Sequence, residues 1–108
     1  MINQKIVDQC RQSLIDAARR KQKITYGDLA TTIGVANQSV GAYLNQIYTE
    51  EIEKGHPDLT LVAVYSGIGY GKYNSAGKRP QSVKFDSTNA DDVQEYEKEL
   101  SRVYAHNW

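Results

Sequence analysis

Ile24-Thr25-Tyr26-Gly27-Asp28-Leu29-Ala30-Thr31-Thr32-Ile33-Gly34, followed after Val35-Ala36-Asn37 by Gln38-Ser39-Val40-Gly41-Ala42-Tyr43-Leu44, decides how this chain is read. Thr25 and Asp28 stand at the spacing of a capping box. The hydroxyl caps the helix start, and the acid three residues on reaches back and favours the positive helix end. Leu29, Ala30 and Ile33 give the helix one apolar side, and Gly34 suits a left-handed stop. Asn37 then reads as the cap of a longer helix running to about Lys54, with Val40, Tyr43, Leu44, Ile47 and Tyr48 turned inward. Gly55, His56 and Pro57 end it. Two helices joined by a short Gly-containing turn are a helix-turn-helix pattern, spanning 25–54.

Upstream, Ile2, Ile6, Val7, Cys10, Leu14, Ile15 and Ala18 recur at the spacing of one helical face. A helix is therefore expected over residues 1–21, with Arg11, Arg19 and Arg20 on its surface. Cys10 falls on the apolar stripe and reads as a packing residue. Downstream, Leu59 to Tyr65 and Ser82 to Asp86 are rich in β-formers and read as two strands. Between them lies Ser66-Gly-Ile-Gly-Tyr-Gly-Lys-Tyr-Asn-Ser-Ala-Gly-Lys-Arg-Pro80, which matches no phosphate or dinucleotide loop: it lacks a GK[ST] ending and does not open into a helix. An antiparallel β-hairpin with a long tip, over 59–86, is the expectation. Thr88 and Asp91 form a second capping box before a helix to residue 105. Val93, Tyr96, Leu100, Val103 and Tyr104 lie on one side of it, and Asp92, Glu95, Glu97 and Glu99 on an outer face. Helix, helix-turn-helix, hairpin, helix is the order of a winged helix. The expected architecture is thus α+β, with about four helices and a small antiparallel hairpin wing in a single domain, 1–108.

Composition bounds what such a domain does. At 108 residues, with 40% hydrophobic and 24% charged residues, the chain has the make-up of one globular unit. No apolar run approaches the roughly 20 residues of a membrane span, and Asn3, Gln4, Lys5 and Asp8 interrupt any leader-like core. A cytoplasmic protein without a membrane partner is expected. One cysteine excludes an internal disulfide and a cysteine zinc site.

Formal charge sums to zero, but unevenly. Residues 1–48 carry six bases against three acids, and 49–58 carry Lys54 against Glu50, Glu51, Glu53 and Asp58. Residues 59–84 carry Lys72, Lys78, Arg79 and Lys84 with no acid, and 85–108 carry two bases against six acids. Two basic blocks therefore bracket the helix-turn-helix. The acids at 50–53 near His56 read as a solvated charge run rather than a metal site, and no cofactor is expected.

The TYG-x-LA element at Thr25-Tyr26-Gly27-Asp28-Leu29-Ala30, with Val40-Gly41 and Leu44 after it, resembles the DNA-binding winged helix of alkylguanine-DNA alkyltransferases. It equally resembles the catalytically inactive alkyltransferase-like proteins, and is similar in arrangement to winged-helix modules that accompany nucleases of modified-DNA restriction. The likeness covers roughly residues 20–80 and includes Pro57 and the glycine-rich segment in the same order. It implies a DNA-binding fold with Tyr26 against phosphate. It also implies an intercalating arginine, where this chain has Gln38, which lacks the charge. The nucleophilic cysteine belongs just after the proline, and here Pro57 is followed by Asp58-Leu59-Thr60. Alkyl transfer is excluded on that ground, and neither the two histidines nor any Ser-His-Asp spacing suggests another enzyme.

The functional expectation is non-enzymatic binding of double-stranded DNA. The second helix would enter the major groove through Asn37, Gln38, Ser39, Ala42 and Asn45, amides that suit adenine edges. Tyr70, Lys72, Tyr73, Asn74, Lys78 and Arg79 would follow the backbone or minor groove. Arg19, Arg20, Lys21 and Lys23 would touch the flanking phosphates. No small-molecule substrate is implied. The alternative is a protein-binding inhibitor or adaptor of a nucleic-acid enzyme, such as a mobile-element anti-defence protein. It is suggested by net neutrality, eight tyrosines and the acidic blocks.

Overall fold

Residues 3–64 and 88–108 are described by the structure, a computed structural model. The first helix, α1 (Gln4–Arg19), follows from its periodic apolar stripe: Val7, Cys10, Leu14 and Ala18 are all buried. Asn3 caps it by accepting from the Lys5 backbone N–H. It ends in a left-handed residue that is not glycine: Lys21 has φ 54°. The amides of Lys21 and Gln22 close on the carbonyls of Ala18 and Ala17.

A two-residue strand, β1 (Ile24–Thr25), leads into α2 (Tyr26–Ile33). Thr25 Oγ1 accepts from the Asp28 N–H at 3.1 Å, as the capping box requires. Gly34 adopts φ 75° and passes its amide to Ala30. Asn37 is not the cap of the next helix. Asn37–Ser39 instead form a 3-10 turn flanked by Ala36, with no side-chain cap bond, and α3 (Val40–Glu53) continues from it. The backbone bond from Ser39 N–H to Ala36 O, at 2.9 Å, starts the helix without help from a side chain. At the far end Gly55, with φ 76°, and His56 donate to Ile52 and Glu51 carbonyls and close the helix.

Leu59–Val62 form a 3-10 segment, not the expected strand, and among the described residues of that stretch only Ala63–Val64 are extended, as β2. The cause is Asp58, whose Oδ1 accepts from both the backbone N–H and the hydroxyl of Thr60. This local turn closes at Leu61 N–H to Asp58 O and overrides the β-propensity of Leu-Thr-Leu-Val. The sheet is also corrected. β2 pairs with β1 in parallel, Ile24 opposite Ala63 and Thr25 opposite Val64, rather than with a following strand in an antiparallel hairpin. The expected second strand, 82–86, lies outside the described residues.

The last helix, α4 (Ala90–Ala105), is capped by Asn89, not Thr88; the Asn89 side chain accepts from the amides of both Asp91 and Asp92. Tyr96, Leu100 and Val103 are buried as expected, and the Tyr96 hydroxyl donates to the Leu61 carbonyl at 2.8 Å. Glu99, expected on the outer face, is only 3% exposed. It stands three residues after Tyr96 and four before Val103, on the same buried stripe, with Arg102 3.0 Å from its carboxylate.

The described chain is therefore α+β, mostly helical, with four helices and a two-stranded parallel sheet. The core lies where α1 meets α2, α3 and the 3-10 segment 59–62, with α4 against that segment. Leu14, Leu29, Ile47, Leu59 and Val62 are among its fully buried side chains. Among the described residues no helix is long and apolar enough to cross a membrane.

Candidate nucleic-acid interface

Two stripes of α3 organise this site. Val40, Leu44, Ile47 and Glu51 are buried, at the i, i+4, i+7, i+11 spacing of one helix face. Ala42, Asn45 and Thr49 lie two residues out of step with it, about 200° around the helix, and are exposed, as is Gln38 in the 3-10 turn that leads into α3. Burying the first stripe against α1 presents the second to solvent. Thr49 Oγ1 donates to its own helix at the Asn45 carbonyl, 3.0 Å away. The side-chain amides of Asn37, Gln38 and Asn45 are bonded to nothing among the described residues. Ser39 is half-buried. From Leu29 to Thr49 the sequence contains no charged residue, so this face is polar but neutral.

Tyr26 opens α2 and is half-buried, packed against the core. Of the basic residues before α2, Arg19 donates to the Trp108 backbone oxygen, and the Lys23 ammonium lies 5.3 Å from the centre of the Tyr96 ring. Those two reach residues of the C-terminal segment, and all four, Arg20 and Lys21 included, are exposed. Tyr70, Lys72, Tyr73, Asn74, Lys78 and Arg79 lie outside the described residues, so α3 is where the expected contact residues are brought together.

The other end of α3 differs in kind, and the charge-run reading missed it. Glu51 is only 2% exposed. Arg11 Nε reaches its Oε1 at 3.1 Å, Lys54 Nζ lies 3.5 Å from the same oxygen, and His56 Nδ1 is 2.6 Å from Oε2. Burial works to raise the Glu51 pKa, but the His56 hydrogen bond and the nearby charges of Lys54, His56 and Arg11 outweigh it and hold the carboxyl below its usual range. Arg11 also binds Glu50, to which Gln46 Nε2 donates at 3.3 Å. His56 in turn stacks near His106, with ring centres 4.7 Å apart, and His106 lies 4.2 Å from Trp108. The cluster ties α1, α3 and the end of α4 together. Its sequence signal was present: Glu51 falls four residues after Ile47, on the inner stripe.

Asp58 is a further buried acid, beside Glu51 and Glu99, that the sequence did not flag. Its Oδ1 is used by Thr60, but its Oδ2 has no hydrogen-bond partner among the described residues. Burial, with a smaller push from the Glu99 charge, raises its pKa to about 6 against the pull of the Thr60 bonds. Cys10 is fully buried in α1, and burial pushes its thiol up to about 11. Among the described residues no group of three or more His, Cys, Asp or Glu is placed to hold a metal ion.

No family model, curated protein or solved structure matches this chain. The reading of the site rests on its own geometry.

Proposed function

We propose that the protein is a non-enzymatic binder of double-stranded DNA, of winged-helix form, in which α2 and α3 act as a helix-turn-helix. One observation carries this reading: the exposed face of α3 and of the 3-10 turn before it, where the amides of Asn45 and Gln38 make no hydrogen bond among the described residues, on a helix whose opposite face anchors it in the core. A rigid helix presenting unbonded donors and acceptors suits base edges in the major groove. The resemblance at Thr25–Ala30 and Val40–Leu44 supports the same reading. So does the acid-free stretch 59–84, whose Lys72, Lys78 and Arg79 supply the phosphate-neutralising charge that α3 lacks. The absence of catalysis is part of the proposal: Cys10 is buried with a raised pKa, and the residue after Pro57 is buried Asp58.

A second reading, a protein-binding inhibitor or adaptor of a nucleic-acid enzyme, draws support from the lack of any cation on the exposed α3 stripe and the engagement of Arg19 with Trp108 and of Lys23 with Tyr96. Salt separates the two. Binding to a mixed-sequence duplex, followed by fluorescence anisotropy at two salt concentrations, should show a Kd in or below the range of about 1–100 μM that weakens steeply as salt rises. No binding at low salt would overturn the DNA reading and leave the protein-partner one.

A further inference from the structure

Building on the DNA-binding reading, we infer that the exposed stripe of α3 selects A·T base pairs in the major groove. Guanine is read there mainly by Arg or Lys on O6 and N7, and cytosine by Asp or Glu on N4. The stripe offers none of these, because no charged residue occurs between Asp28 and Glu50. Glu50, the first acid beyond it, is held by Arg11 and Gln46.

What the stripe does offer matches the other pair. Gln38 and Asn45 present a donor and an acceptor on one planar group, the complement of adenine N7 and N6. Neither amide is committed to another bond among the described residues. Ala42 lies between them as an exposed methyl, the surface that suits the thymine C5-methyl group. Thr49, at the end of the stripe, commits its hydroxyl hydrogen to the Asn45 carbonyl and so does not offer it to a base. From Ala42 to Thr49 the helix rises about 10.5 Å, which matches about three base-pair steps at roughly 3.4 Å each. The stripe is thus long enough to read a short run of A·T pairs. Phosphate contacts from the basic segments would add affinity without choosing bases.

The test uses the full chain and three duplexes of equal length: A·T-rich, G·C-rich, and one of inosine·cytosine pairs. Inosine·cytosine shows a G·C-like major groove and an A·T-like minor groove. The expected result is about tenfold tighter binding to the A·T duplex than to either of the others. Gln38→Ala and Asn45→Ala should each narrow that preference by weakening A·T binding more than G·C binding; both sites are exposed, and a thermal melt checks the fold. Equal affinity for all three duplexes would overturn the A·T inference and leave DNA binding standing. Inosine·cytosine binding as tight as A·T would also overturn it, since selection would then lie in the minor groove. Failure to bind any duplex at low salt would remove the DNA-binding reading itself.

Discussion

The two ends of α3 answer different physical demands within one helix. Its first turns carry neutral side chains whose exposed amides bond to nothing among the described residues, while its last turn carries Glu50 and Glu51, held by Arg11, Lys54 and His56. A buried carboxylate such as Glu51 is costly unless it is paired, so that end is committed to holding α1, α3 and the chain around His56 in register. The exposed stripe at the other end makes no such commitment and can be exchanged without disturbing the core. Structural charge and recognition chemistry are thus separated along a single element. The separation makes distinct predictions for stability and for binding.

The largest effect is expected where the pairing is broken. Arg11→Ala leaves Glu51 buried with only Lys54 and His56, and should lower unfolding free energy by about 3 kcal/mol, read as a shift of the urea midpoint. Adding Glu51→Gln removes the stranded charge and should restore part of the loss. Strict additivity of the two changes would show that Arg11 acts through packing alone and break the contrast drawn here.

Next in size is a pH effect that sets one buried acid against the other. The Asp58 carboxyl has a folded-state pKa raised to about 6 from 3.8, so the folded state takes up a proton before the unfolded chain does. Its contribution to stability therefore rises as pH falls from above 6 toward 3.8, by about 1 kcal/mol per pH unit at most. Glu51 has the opposite sign. Its pKa is lowered, so its stabilisation is present above the unfolded value of 4.5 and is lost as pH falls through the folded value. Stability measured against pH should rise on mild acidification and fall on stronger acidification. Asp58→Asn should flatten the upper limb and leave the lower one; an unchanged upper limb would show that Asp58 does not titrate there.

How much of this was legible in the sequence follows from which interactions are local. The stripe of α1, the Thr25 cap, and the stops at Gly34 and Gly55 depend on neighbours a turn away, and each stands where the residue pattern placed it. Of the residues expected to face outward on α3, Asn37, Gln38, Ala42 and Asn45 are exposed, but Ser39 is half-buried, and Asn37, Gln38 and Ser39 lie in a 3-10 turn that the pattern did not announce. Glu51 and Glu99 obeyed the periodicity too, but as carboxylates they read as surface, because their partners come from residues the pattern cannot see. Asp58 with Thr60 turned an apparent strand into a 3-10 segment, a side-chain effect stronger than β-propensity. The β1–β2 pairing joins residues far apart in the chain, and no local signal announces it.

Smaller effects belong to the backbone at helix ends. Lys21 holds φ 54° and Gly55 φ 76°, both in the left-handed region. Lys21→Gly should stabilise by about 1 kcal/mol, and Gly55→Ala should destabilise by about the same. Nothing lies within 4 Å of a Cβ placed at Gly55, so its cost is conformational alone. Equal melting temperatures for the two variants would refute the assignment of these ends.

The smallest expected change sharpens the comparison most. Gln38→Ala and Asn45→Ala alter exposed residues that make no side-chain hydrogen bond among the described residues, and should move stability by no more than about 0.5 kcal/mol. Replacing Asn by Ala within α3 even removes a residue of lower helix propensity, so Asn45→Ala should fall on the stabilising side. A loss of 2 kcal/mol or more at either position would mean that the neutral end of α3 is structural after all. Near-zero change, beside the large loss at Arg11, would show that the neutral end of α3 carries no structural duty and that the core does not depend on which side chains it presents.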